Sequence, residues 1–202
     1  MLVLIILLCL LLLLLCTKAI IREEHNIFGN HISSSGILIE SGSYLGNGIE
    51  LGLEYFKQIH SIELSEHYYQ HCRYRFSGND KVHLYLGDSG EKICDILNYI
   101  NSPVTFWLDG HYSGGDTEKG IDSSPLIREL KCISQHHIKN HIILIDDIRQ
   151  FSTEHFDYLS LLEVMKTISS INPLYTFKLE NGYIEHDILV AKVNNQLSIE
   201  VM

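Results

Sequence analysis

The chain is short of positive charge, of proline and of repetitive sequence. Its 202 residues hold 15 Lys and Arg against 25 Asp and Glu, a formal net charge of −10 with His neutral. That balance excludes a basic nucleic-acid-binding surface as a first reading, and no nucleic-acid partner is expected. Only 3 residues are proline, and no low-complexity tract or internal repeat follows the N-terminal run, so the chain does not belong with the disordered classes. The sequence contains no G-x-G-x-x-G, no G-x-x-x-x-G-K-[ST], no C-x-x-C and no N-x-Ser/Thr. Of its 5 cysteines, Cys9 and Cys16 lie in the N-terminal run, leaving Cys72, Cys94 and Cys132. An odd number without paired spacing argues against a disulfide framework or a zinc site, and partly buried packing is the expected role.

What is present begins with a long apolar run. Met1 to Cys16 are all apolar and the run continues to Ile21 with one charge, Lys18. Twenty-one helical residues span roughly 31 Å, enough for a bilayer core. The run therefore reads as one N-terminal hydrophobic helix that anchors the chain to a membrane. A cleaved signal peptide competes, since Thr17-Lys18-Ala19 is a tolerable small-residue site, although the positively charged n-region is missing. Lys18 and Arg22 follow the run and no basic residue precedes it, which places the globular part in the cytosol. Secretion after cleavage is the alternative. The expected organisation is an anchor or signal over residues 1–21, a linker over 22–35 and a single domain over 36–202.

Within that domain, short apolar or β-branched runs alternate with longer amphipathic stretches, as in βα units around a parallel sheet. Strands are expected near 37–40, 59–63, 82–86, 104–108 and 142–146, with helices near 46–57, 66–75, 89–100, 123–137 and 153–170. After Asn172-Pro173, Leu174 to Leu179 and Asp187 to Val193 read as strands joined through Glu180-Asn181-Gly182. The fold class is therefore α/β, a doubly wound Rossmann-like sheet of seven strands ending in an antiparallel hairpin. Ligands in such sheets sit beyond the carboxyl ends of the strands.

The expected strand ends carry the chemistry. The first runs into Glu40-Ser41-Gly42-Ser43-Tyr44-Leu45-Gly46, a glycine-bearing turn that lets the backbone approach a nucleotide-like ligand. The second ends at Glu63, 23 residues after Glu40, near the offset at which a carboxylate meets a ribose diol. The third ends at Gly87-Asp88-Ser89, where Asp88 would contact an adenine edge or cap the next helix. The fourth and fifth end at Asp109 and at Asp146-Asp147. Carboxylates converging there suit a hard divalent cation such as Mg²⁺.

With those residues in hand, the stretch from about 36 to 193 resembles class I S-adenosylmethionine-dependent methyltransferases. It is most similar to the metal-dependent O-methyltransferases of catechol, caffeoyl-CoA and macrolide-sugar type. The resemblance implies that Glu40, Gly42, Ser43 and Gly46 cradle the methionine part of S-adenosylmethionine, that Glu63 binds its ribose, and that Asp88 and Ser89 lie beside its adenine. It implies a metal site at Asp109, Asp146 and Asp147. The family's Lys three residues after the metal Asp is replaced here by Tyr112, so His111 becomes the expected catalytic base alongside Asp109. Gly48 stands where many relatives have Ser. Gly110 to Ile121 are expected to form a lid over a small, hydroxylated, sugar-like acceptor.

Two other classes remain open. A metal-dependent hydrolase or phosphotransferase would use the three Asp residues, but would not need Glu63 or the Glu40 loop. A membrane-tethered binding module would keep the fold without activity. The sequence does not specify an oligomeric state.

Overall fold

The computed structural model describes residues 27–194 apart from 113, 115 and 116. Among those residues no helix is long and apolar enough to cross a membrane. The expected anchor, residues 1–21, lies outside them, as does the start of the expected linker.

Five strands make the parallel part of the sheet: β1 (Ile37–Ser41), β2 (Gln58–Glu63), β3 (Val82–Leu86), β4 (Thr105–Leu108) and β5 (Ile142–Ile145). A hairpin of β6 (Tyr175–Glu180) and β7 (Ile188–Val193) completes one seven-stranded sheet of order β3-β2-β1-β4-β5-β7-β6. Pairing is parallel from β3 through β5, whereas β7 runs antiparallel to both β5 and β6. This is the sheet expected from the alternating pattern, with the hairpin at its far edge.

Apolar side chains on both sides of the central strands explain the two layers of helix. Ile39, Phe106 and Ile143 belong to a core shared with Ile93 of α3 (Ser89–Leu97), Leu130 and Ile133 of α4 (Leu126–Gln135) and Val164 of α5 (Leu161–Ile171). Leu38 and Leu144 belong to the opposite core, with Ile49 of α1 (Asn47–Gly52) and Cys72 of α2 (Glu66–Arg75). Phe28, within the stretch read as linker, is 1% exposed and meets Phe56 and Trp107 edge to face, with ring centroids 5.6 and 5.3 Å away. Phe28 and its neighbours are thus part of the packed domain.

Two helices differ from expectation. The first ends at Gly52 rather than near 57, because residues 53–55 turn and the chain must be extended again by Gln58, where β2 begins. The stretch 153–170 opens as a 3₁₀ turn, Glu154–Phe156, which follows another at Ile148–Gln150. α5 then starts afresh at a capping box made by Ser160 and Glu163.

The packing role expected for the cysteines holds for Cys72 alone, which is buried and free. Cys94 and Cys132 form a disulfide, with Cα atoms 4.9 Å apart. Sequence spacing could not reveal it, because α3 and α4 become neighbours only when both pack on the same face of the sheet.

Candidate functional site

The carboxyl edge of the sheet is shaped first by two glycines. Gly42, at φ 83°, follows β1, and a Cβ there would lie 2.5 Å from the Asp109 carbonyl oxygen. Gly46, at φ 82°, would drive a Cβ to 2.5 Å from the Phe76 ring. The turn between them passes close to β4 on one side and α2 on the other, which only glycine allows. Ser43 pairs with Ser61 through their hydroxyls at 2.5 Å.

Glu40 points the other way, into the core beneath the turn. It is 1% exposed, and Ser61 Oγ donates to its Oε2. Burial pushes its carboxyl up to about 8; Asp109 and Glu63 add repulsion, and the Ser61 hydrogen bond works against both. Gly48 has a reason here, since a Cβ at that position would lie 1.9 Å from Glu40 Oε1.

Glu63 braces the same turn. Its Oε2 accepts from Tyr44 N–H and its Oε1 from Ser65 N–H, both at 2.8 Å. Asp88 caps α3 by accepting from Gly90 N–H at 2.8 Å, and Arg128 grips it with Nη1 at 2.7 Å and Nη2 at 2.9 Å. Arg128 Nε also reaches Asp122 at 2.8 Å. Ser89 is buried beside Glu129, whose carboxyl burial raises to about 7 against hydrogen bonds from Ser89 and Ser41. Together, Gly42, Glu63, Asp88, Asp109 and His111 wall a cleft of about 410 Å³. The segment after β4 crosses this cleft. Tyr112 N–H donates to the Ser123 carbonyl at 2.7 Å, and Asp157 accepts from Ser123 and Ser124 N–H at 2.9 and 3.1 Å. Gly114, Thr117 and Gly120 line the cleft, as a lid would.

The expected metal residues divide into two groups. Asp109 and Asp147 come together with His111, their donor atoms within 4.8 Å of one another, while Asp146 groups with Asp147 and Asp187. His111 lies between two carboxylates, Nδ1 3.5 Å from Asp109 and Nε2 3.2 Å from Asp147, and stacks on Phe156 with centroids 4.7 Å apart. Burial alone would lower its pKa, but hydrogen bonds to Asp109 and Asp147 raise it to about 9. In this arrangement His111 therefore holds a proton at neutral pH instead of taking one. Burial would likewise raise Asp147, yet His111 and Arg149 hold it below the usual carboxylate range. Asp146 is raised to about 7 by burial and then by the Asp109 charge.

Two carboxylates and an imidazole fit a first-row divalent ion with bonds of about 2.0–2.2 Å better than the all-oxygen shell that Mg²⁺ favours. The second group does not fit an ion, because Arg149 already bonds both Asp147 and Asp187. Arg128, Glu129, Arg149 and Asp187 were not found from the sequence. The pairs Arg128–Asp88 and Arg149–Asp187 span 40 and 38 residues, and no local pattern announces them.

No family model and no curated protein matches the chain. Its fold is similar to several solved structures. A candidate rRNA methylase from Clostridium thermocellum is 12% identical, the match covering 84% of this chain and 94% of that one at a TM-score of 0.59. An amino pentose methyltransferase of calicheamicin biosynthesis from Micromonospora echinaspora, bound to S-adenosylmethionine, is 11% identical over 88% and 89% of the two chains at 0.55. A Podospora anserina methyltransferase bound to S-adenosylhomocysteine is 15% identical over 79% and 72% at 0.51. At such identities the likeness establishes the fold, a Rossmann-like sheet shared with S-adenosylmethionine-dependent methyltransferases.

Proposed function

We propose that the chain is an S-adenosylmethionine-dependent methyltransferase acting on a hydroxyl of a small, sugar-like acceptor. The observation that carries this is a pair of cavities meeting at one carboxylate. The cleft over β1 to β4 and a second cavity of about 350 Å³ beside α1 share Gly42, Tyr44 and Asp109 in their walls. A donor in the first would face an acceptor in the second across Asp109, the one carboxylate common to both.

On this reading the Gly42 turn admits the donor's backbone-hugging portion, and Glu63, already fixed by two amides, offers its remaining lone pairs to a ribose diol. The Asp88–Arg128 fork sets the adenine end of the cleft. In the transfer the acceptor oxygen attacks the sulfonium methyl carbon, the C–S bond breaks as the C–O bond forms, and the hydroxyl proton passes to Asp109. The products are a methyl ether and the neutral thioether S-adenosylhomocysteine. Proximity of two oriented ligands supplies most of the acceleration. A divalent ion held by Asp109, His111 and Asp147 would, when bound, lower the pKa of the acceptor hydroxyl.

Calorimetry of S-adenosylmethionine with the full chain tests the reading. Micromolar binding that weakens about tenfold or more in Glu63→Gln is expected. No binding to the folded wild-type chain would overturn it.

A further inference from the structure

Away from the carboxyl edge, a cavity of about 270 Å³ opens between the C-terminal halves of α3 and α4. Cys94 and Cys132 both line it, so their disulfide forms part of its wall. Asn98, Asn101, Gln135 and His137 make much of the remaining wall polar, which leaves the bond open to a reagent from water. The two sulfurs are unequally placed. Cys94 on α3 is half-buried, whereas Cys132 on α4 is 5% exposed. Each also lies beside an oxygen that a disulfide cannot use, having no S–H to donate. Cys132 Sγ is 3.3 Å from the Gly90 carbonyl oxygen and Cys94 Sγ is 4.0 Å from Gln135 Oε1. Both oxygens are acceptors for a thiol, so the fold accommodates the reduced pair as well as the oxidised one.

The bond ties the two helices that close one end of the first cleft. Asp88 caps α3, and Arg128 of α4 grips it one helical turn before Cys132. At Gly90 the helices run so close that a Cβ would lie 2.8 Å from that of Arg128. Disulfide and fork therefore clamp one helix pair at two levels, the ionic clamp in the wall of the cleft and the covalent one remote from it. The cytosolic placement read from Lys18 and Arg22 gives the covalent clamp a meaning, since disulfides are rare there and those present are usually catalytic or redox-sensing.

We propose that this cavity is a thiol–disulfide exchange site for a dithiol, and that reduction of Cys94–Cys132 there weakens the hold of the first cleft on S-adenosylmethionine. The control of the cleft rests on the methyltransferase reading; the exchange site does not. A thiolate of the dithiol attacks Cys94 Sγ, the more accessible sulfur, and a mixed disulfide forms. The Cys94–Cys132 bond breaks and its electron pair leaves on Cys132, which takes up the proton lost by the attacking thiol and donates its S–H to the Gly90 carbonyl. The second sulfur of the dithiol, giving up its own proton, then displaces Cys94 as a thiol. One protein disulfide and one dithiol become two protein thiols and one external disulfide, a transfer of two electrons. With the covalent clamp open, Asp88 and Arg128 alone hold the two helices at the cleft, and donor binding bears the cost of ordering that end.

The test titrates S-adenosylhomocysteine calorimetrically into the full chain, oxidised and after reduction by dithiothreitol. The reduced chain is expected to bind about fivefold or more weakly, and Cys94→Ser with Cys132→Ser to match it. Linkage demands the reverse effect: for a tenfold difference in affinity, saturating S-adenosylhomocysteine makes the disulfide harder to reduce by about 30 mV, read against dithiothreitol couples. Glutathione disulfide reports the point of attack. Cys132→Ser, which leaves Cys94, is expected to form the mixed disulfide about tenfold faster than Cys94→Ser, which leaves Cys132, with the adduct located by peptide mass. Equal affinity of the oxidised and reduced chains overturns control of the cleft, and so does unfolding of the reduced chain at the assay temperature, because the bond is then a structural staple. A disulfide that dithiothreitol opens only as the chain unfolds overturns the exchange site. If S-adenosylhomocysteine binds neither form of the folded chain, the methyltransferase reading falls and control of donor binding with it, while the adduct at Cys94 still decides the exchange site.

Discussion

Glu40 and Gly48 are fitted to each other: the Oε1 of the first lies 1.9 Å from where any Cβ on the second would stand. A serine there would require the buried carboxyl to move. Gly48→Ala is expected to cost about 1–3 kcal/mol through overpacking. The melting temperature checks this, and the double variant Glu40→Ala with Gly48→Ala should lose less than the sum of the two single losses, because the smaller residue makes room.

Arg128 joins α4 to the cap of α3 by a two-pronged bond to Asp88. Lysine can supply one point charge but not the fork. Arg128→Lys is expected to cost about 1 kcal/mol, with Arg128→Met costing more because Asp88 then lacks a cation while still accepting from Gly90. Chemical denaturation curves measure both.

Acid should loosen the base of the sheet. Val104 N–H donates to His141 Nδ1 at 3.1 Å, which leaves the proton on Nε2 to be given to His136 Nδ1 at 2.9 Å; His136 Nε2 then donates to the Ile100 carbonyl at 2.9 Å. The chain is complete only with both rings neutral. Burial, with the neighbouring His136, lowers His141 to about 3 from an ordinary 6.5. Between those values the unfolded chain binds the extra proton, so stability is full above pH 6.5 and falls as pH falls. At pH 5 the loss from this group is about 2 kcal/mol. His141→Asn, which keeps an acceptor for Val104, should flatten that part of a stability–pH profile.

Metal binding should release a proton. An ion entering between Asp109, His111 and Asp147 must displace the proton that His111 retains up to about pH 9. Affinity for Mn²⁺ is therefore expected to rise with pH through neutrality. In His111→Ala both affinity and its pH slope should fall. Calorimetry in buffers of different ionisation enthalpy reads the proton directly, and an unchanged slope in the variant would contradict the assignment of the imidazole as a ligand.

Breaking the Cys94–Cys132 bond frees a loop of 38 residues. Chain entropy assigns such a closure about 4 kcal/mol as an upper value. Reduction, or Cys94→Ser with Cys132→Ser, should lower the melting temperature by several degrees. Thiol labelling in intact cells also bears on location, since a protected pair belongs to an oxidising compartment and a reactive pair to the cytosol expected from Lys18 and Arg22.

The sequence made the sheet legible because its strands are apolar on both faces, a pattern carried by a few consecutive residues. Strand limits at 37, 63, 82, 86 and 108 coincide with those observed. Glycines at 42 and 46 were also readable, since a tight turn constrains the residue that makes it. Side-chain pairing was not readable. Glu63 lies at the expected strand end, yet its two amide contacts depend on how the first turn folds back. Asp88 has both of its expected roles in view, and the capping one is occupied. His111 was singled out for a basicity that its surroundings transform, because Asp147, 36 residues later in the chain, closes on its far nitrogen.

The strand order has a consequence for how the domain is assembled. β6 touches the sheet only through β7, and β7 is wedged between β5 and β6. During synthesis β6 emerges before the strand that will hold it, and the open ladder of β5 waits for the same segment. A nascent chain can therefore build β1 to β5 as it appears, but its edge beside Ile143 and Ile145 stays available to foreign strands until Ile188 to Val193 arrive. The window of aggregation risk for this protein is set by the delay between its fifth strand and its seventh.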